Sequence, residues 1–330
     1  MVPYRSILFV PGHKPRWVDK ALAAGADCIV LDLEDSVPAD LKADARATVA
    51  EAIGALRARD DRVGIFVRVN PLETRMTGAD LEAVVVPGLT GVFAPKISVA
   101  TDVLRYDALL DHFEARNAVA GLEYIVPVEM IGAIQNAREI AQASPRVGAM
   151  IGPTAEHADI ARAVGYQWTP EGEETLYLRS RILLACREAG IHPLTALWER
   201  LDDLPGLKAF AERGRRLGFR GMVAIHPSHV PIVNEAFSPS AEDIEFHEGL
   251  VAAYEDAAAA GDGAVRYRGV HIDKAHADTA REWLDHARAT PGDGRPPTAA
   301  GAIPDPCDHP PGGADANRTA TTVLPERQHS

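Results

Sequence analysis

The feature that most constrains this chain is a regular alternation. Short apolar runs are followed by stretches with apolar residues at helical spacing, about eight times before residue 238. Runs such as Ser6–Val10 (SILFV), Cys28–Leu31 (CIVL) and Tyr124–Val128 (YIVPV) are continuous rather than alternating in polarity. Each therefore fits a parallel strand covered on both faces. Such a strand has no polar side, so the first polar residues after each run mark where it ends. These are Asp32, Glu34 and Asp35, then Arg68, Lys96, Glu129, Glu156 with Asp159, and His226. Consecutive strand–helix units with polar side chains gathered at the strand ends predict a closed (β/α)8 TIM barrel of the α/β class. An open doubly wound sheet competes, but no G-x-G-x-x-G follows the first run and no Walker lysine motif occurs.

Further strands are expected at Gly64–Pro71, Val147–Ile151 and Met222–Ile225, while Leu81–Val86 and Gly91–Lys96 bracket another α/β unit. Helices are expected at Trp17–Ala24, Pro38–Ala58, Ala100–Arg116, Ile131–Ala143, from near Ile160, at Leu176–Ala189 and at Leu207–Leu217. Gly25 suits the left-handed position after the first of these helices. Beyond the barrel, a helix over Asp243–Ala260, a strand pair at Ala264–Tyr267 and Val270–Ile272, and a helix over Ala275–Ala289 form an extension. From Thr290 the chain turns to Pro, Gly, Ala, Asp and Thr, too poor in large apolar groups to offset ordering entropy. The expected division is a catalytic barrel over 1–238, a helical or lid-like extension over 239–289, and a disordered tail over 290–330.

The net charge of −13 and the lack of any Lys/Arg-rich run argue against a nucleic-acid partner. Three cysteines (Cys28, Cys186, Cys307) lie far apart, without C-x-x-C spacing, and read as thiols of a reducing compartment. The first residues carry no charged-then-apolar leader, and no apolar run reaches membrane-spanning length. A soluble cytoplasmic protein is expected.

The strand-end residues carry the chemistry. Glu129 and Asp159 follow adjacent strands, and two carboxylates with room for water and substrate oxygens suit Mg²⁺. Helix capping is the alternative for either acid alone. Arg68 presents a fixed, planar donor fork suited to a carboxylate or a developing enolate oxygen, or to a salt bridge with Glu34 or Asp35. Lys96 and the His13, Lys14, Arg16 loop offer positive charge to a phosphorylated ligand. His226, before Pro227, is either a ligand contact or a structural histidine.

Several stretches in order resemble one family: Arg5–Gly12 (RSILFVPG), Val30–Val37 (VLDLEDSV), Arg68–Asn70, Pro95-Lys96, Val128-Glu129 with Asn136–Ile140, and Gly218–Gly221 leading to Ile225–Pro227. Val233–Phe237 and Gly269–Asp273 extend the likeness over about residues 3–289. The chain resembles the citrate lyase β-subunit-like family, which includes malyl-CoA and citramalyl-CoA lyases and belongs to the HpcH/HpaI aldolase superfamily. The resemblance implies a Mg²⁺-dependent (Mn²⁺ as an alternative) barrel enzyme, usually a homotrimer, with a hexamer as the alternative. It implies a carbon–carbon lyase that cleaves 3-hydroxyacyl-CoA thioesters to a 2-oxo acid and an acyl-CoA. Glu129 matches the first metal ligand. The second is Asp159 or Glu156, because the segment from Gly152 to Asp159 is longer than the family pattern. Glu34 and Asp35 match acids that hold the metal's waters, and Arg68 matches the enolate-binding arginine. Asp273 matches an acid/base given to a neighbouring subunit. Arg5, Lys14, Arg16, Lys96 and His226 are expected to meet the substrate and its CoA. A synthase or thioesterase of the same family, or a non-catalytic CoA-binding homologue, are the alternatives.

Overall fold

The structure is a computed structural model and describes residues 3–290. Eight parallel strands close into a barrel: β1 (Ser6–Pro11), β2 (Cys28–Asp32), β3 (Gly64–Arg68), β4 (Gly91–Phe93), β5 (Glu123–Pro127), β6 (Val147–Gly152), β7 (His192–Thr195) and β8 (Met222–Ala224). Closure is made by β8 pairing β1, with Ser6 opposite Met222 and Leu8 opposite Ala224. The strands are connected through α1 (Arg16–Ala23), α2 (Lys42–Arg59), α3 (Thr77–Val84), α4 (Ala100–Asn117), α5 (Ile131–Gln135), α6 (Ala137–Ala141), α7 (Asp159–Val164), α8 (Leu176–Ala189) and α9 (Leu204–Leu217). After the barrel come α10 (His229–Phe237), α11 (Ala241–Ala259), an antiparallel pair β9 (Ala264–Tyr267) and β10 (Val270–Asp273), and α12 (Lys274–Ala289).

Successive side chains on a strand face opposite ways, and both faces here are apolar. Ile29, Leu31, Ile65 and Val67 belong to the layer shared with the helices. Cys28, Val30, Phe66, Ile125 and Ile151 belong to a second cluster inside the barrel. The same two-residue period carries Val30 on to Asp32, Phe66 on to Arg68, and Ile125, through Pro127, to Glu129. Strand parity thus places these three polar side chains on the inner face at the C-terminal mouth.

Most expected elements agree with the structure within a few residues, and Gly25 takes the left-handed φ of 77°. Three differ. The helix expected over Ile131–Ala143 is broken at Asn136, whose side-chain amide donates to the carbonyls of Ser98 and Gly132. Strand β7 has no counterpart in the sequence reading, because His192-Pro193-Leu194-Thr195 is too short and mixed to stand out. Helix α10 likewise has no counterpart there. The tail expected to be disordered lies, save Thr290, outside the described residues.

Arg5 requires a correction. It stands before β1, at the strand-start end opposite the mouth, and is only 3% exposed. Its guanidinium is held by Asp27 through Nε (2.9 Å) and Nη2 (3.0 Å), and Nη1 donates to Ser238 Oγ at 2.7 Å. A planar fork satisfied this way ties β1 to β2 and to the end of α10, so its role is structural. Asp27→Asn is expected to cost about 3 kcal/mol or more of unfolding free energy, because it strips a buried arginine of its counter-charge. Urea denaturation measures this, and a change within about 0.5 kcal/mol would remove the role.

Candidate active site at the barrel mouth

The site begins with Asp32, at the last position of β2 and buried. Its carboxylate receives Arg68 Nε at 2.7 Å and Nη2 at 2.6 Å, the Glu34 amide at 2.9 Å, and the Ser36 amide and hydroxyl. Burial opposes its charge, but the hydrogen bonds and charge of Arg68, with Ser36 and the Glu34 amide, hold it below the usual carboxylate range. Arg68 is fixed on three sides. Its Nη1 lies 2.8 Å from Glu34 Oε2 and 3.7 Å from Asp35, and its guanidinium stacks 5.1 Å from the Phe9 ring centroid. The turn carrying Glu34 is pinned by Lys42, whose ammonium donates to the carbonyls of Leu33 and Glu34 (both 2.8 Å) and to Asn70 Oδ1 (2.7 Å).

Across the mouth, Glu129 follows β5. Its Oε1 accepts the Lys96 backbone N–H at 2.7 Å, and its Oε2 lies 3.6 Å from Lys96 Nζ. The same ammonium pairs with Asp159, the first residue of α7, whose other oxygen accepts from Arg162 at 2.7 Å. Burial pushes the Glu129 carboxyl up, against the pull of Lys96, while the Lys96 hydrogen bond holds Asp159 low. Of the two acids left open by the sequence, Asp159 shares a cationic partner with Glu129. Glu156 points to Arg200 at 3.2 Å and groups with His157 and Glu199 on the rim. His157 is gripped by Glu199 through its amide (3.0 Å) and Nδ1 (2.6 Å).

A cavity of about 280 Å³ opens between these groups, with Phe9, Phe93 and Ile151 as apolar lining and Arg68, Glu129 and Asp159 as polar lining. Asp35 is on its edge and largely exposed. Lys14, on the turn after β1, and Arg16, the first residue of α1, are exposed and lie outside the cavity lining. His226 follows β8 and meets Ser228 Oγ at 2.7 Å through Nδ1. Asp273 is distant in function within its own chain: it caps α12, accepting from the amides of Ala275 and His276 and pairing with the His276 ring. Sequence reasoning grouped Asp32 with the strand-end acids but missed that it anchors Arg68. It missed Phe9 and Lys42 altogether, since both act through contacts remote in sequence.

Fold and mouth together define a (β/α)8 barrel with carboxylates and a clamped arginine at its C-terminal end. The chain belongs to the HpcH/HpaI aldolase/citrate lyase family, whose model matches residues 5–227. It is 34% identical over 291 residues to the (3S)-malyl-CoA thioesterase of Cereibacter sphaeroides, covering 87% of this chain and 95% of the relative. It is 35% identical over 292 residues to the L-malyl-CoA/beta-methylmalyl-CoA lyase of the same organism, covering 82% and 90%. The protein CitE of Mycobacterium tuberculosis, solved in complex with magnesium, acetoacetate and coenzyme A, is 29% identical. Its TM-score is 0.64, over 86% of this chain and 97% of that one.

Burial raises the Glu34 carboxyl to about 7, with Arg68 pulling it down and Asp35 and Glu129 adding to the rise. The folded protein therefore binds this proton more tightly than the unfolded chain, where the ordinary value is 4.5. Stability from this group is full below the unfolded value and is lost as pH rises through about 7. Glu34→Gln is expected to flatten the fall in urea midpoint across that window. An unchanged slope would mean that Glu34 stays ionised throughout.

Proposed function

We propose that this chain is a Mg²⁺-dependent carbon–carbon lyase acting on a 3-hydroxyacyl-CoA thioester that carries a free carboxylate, of the malyl-CoA or citramalyl-CoA class. Its products are a 2-oxo acid and an acyl-CoA. The observation that carries this reading is the convergence of Glu129 and Asp159 on one cationic point beside a cavity that also exposes Arg68. Two carboxylates, hard oxygen donors on separate loops, fit Mg²⁺, which takes one or two such ligands and keeps waters or substrate oxygens for the rest. Glu129 and Asp159 would hold the ion, with Glu34 and Asp35 beside it for its waters. When bound, the ion supplies Lewis acidity to the substrate's oxygens.

The protein's own groups account for the remainder. Arg68 is immobilised by Asp32 and Phe9, so its charge needs little reorganisation when negative charge develops on the thioester oxygen. Glu34, whose carboxyl titrates near neutrality, is suited to hold or release a proton at Oε2 beside Arg68. Phe9, Phe93 and Ile151 keep water from the carbon that becomes the enolate. Lys14, Arg16 and His226 surround the mouth and are assigned to the CoA portion. Asp273 caps the start of α12, which near its far end packs His286 against His192 at the start of β7. Thirteen residues of helical rise put Asp273 about 20 Å from that anchor, which supports Asp273 serving a neighbouring subunit of a homotrimer as acid/base.

Thioester hydrolysis is the second reading, favoured by near-equal similarity to a relative of that name. Incubating the enzyme with Mg²⁺ and a small panel of 3-hydroxyacyl-CoA thioesters, and assaying both 2-oxo acid and free thiol, separates the two. The lyase releases 2-oxo acid without stoichiometric free CoA; free thiol without 2-oxo acid would overturn it. Glu129→Gln is expected to lower metal-dependent turnover by about 100-fold or more, and full activity in that variant would remove the proposed metal centre.

A further inference from the structure

We propose that Lys96 is the internal counter-ion of the cation site, exchanged for the divalent ion on loading, so that its side chain sets how tightly the site holds metal. This rests on the reading of Glu129 and Asp159 as the metal-holding pair. The Lys96 ammonium stands between the two carboxylates, 3.6 Å from Glu129 Oε2 and paired directly with Asp159. The three side chains are only about 19–31% exposed, so two uncompensated acids at this point would repel each other in a partly desolvated setting. Some cation is required there, and the chain carries its own.

The backbone explains how the side chain can leave without dismantling the site. Lys96 has φ +55°, in the left-handed region that non-glycine residues seldom adopt. That conformation accompanies the hydrogen bond from its N–H to Glu129 Oε1 at 2.7 Å. Glu129 is therefore oriented by the main chain of residue 96 whatever its side chain does. The ammonium supplies only charge and a tie to Asp159. Lysine suits this use: it is a compact charge on a flexible stem, with no fixed fork to lock it in place. Arg162, which also contacts Asp159, uses the other oxygen and is largely exposed, so it does not compete for the point between the acids.

The test is binding of Mn²⁺ alone to the full chain, followed by the paramagnetic signal of free Mn²⁺, in wild type, Lys96→Met and Glu129→Gln. Thermal unfolding is recorded with and without the ion. The expected order is loss of the site in Glu129→Gln and binding about tenfold tighter than wild type in Lys96→Met. The rise in Tm on adding Mn²⁺ should also be larger in Lys96→Met than in wild type. Lys96→Gln gives the same comparison if the Met variant does not fold. If Glu129→Gln loses the ion while Lys96→Met binds it equally or more weakly, the counter-ion role is overturned and the proposed function stands. If Glu129→Gln binds like wild type, the metal reading falls, and this inference with it.

Discussion

Every strand of this barrel is buried on both faces, and that constraint sorts the rest of the molecule. Within a strand there is no place for an unpaired charge, because a polar group taken from water without a partner costs several kcal/mol, about 2–7 by different reference states. Charged side chains therefore collect at or past the strand ends. The two ends then diverge. At the strand-start end Arg5 and Asp27 neutralise each other in a closed, buried pair. At the mouth, acids outnumber the cations among them, and the surplus stays within reach of a cavity. The same packing rule thus yields a structural joint at one end and a reactive surface at the other.

The two cations of the mouth are not equivalent. Arg68 is clamped by a bidentate carboxylate, a second acid and an aromatic face, so it has little freedom to move. Such a group serves best as fixed charge awaiting a developing anion. Lys96 is tied by its backbone at one point and by a single ammonium on a flexible stem at another. It can yield its position to a stronger cation, whereas Arg68 cannot. The division between permanent and replaceable charge follows from side-chain shape as much as from location.

Much of this was legible in the sequence, for a definite physical reason. Continuous apolar runs reveal strands buried on both faces, and the residue that ends each run lies at an edge. Asp32, Arg68 and Glu129 follow directly, because the period of two fixes which way they face. Arg5 misled for the complementary reason: it belongs to a recognisable motif, but it precedes its strand, and the start of a parallel barrel strand is the wrong end for ligands. The break at Asn136 was invisible because apolar spacing continues through it and only side-chain bonds to the carbonyls of Ser98 and Gly132 mark it. The choice between Asp159 and Glu156 was undecidable along the chain, since Lys96 and Arg200, which draw them apart, are remote from both in sequence.

The size of the cavity bears on how recognition is divided. A volume of about 280 Å³ lies at the lower edge of the usual range for a small-molecule site, and a whole CoA thioester exceeds it. On the proposed reading only the reacting acid and its thioester carbonyl enter, enclosed by Phe9, Phe93 and Ile151. The nucleotide must then lie outside, over the turn after β1 and the start of α1, which bear Lys14 and Arg16. Discrimination among acyl skeletons falls to the inner apolar wall, where one methyl group is worth only about 1–3 kcal/mol. On that same reading recognition of CoA would fall to charges on the rim, which are exposed and screened by salt. A shared carrier with variable acyl groups is what such a division suits, because the inner wall can vary while the rim keeps its grip on the common part.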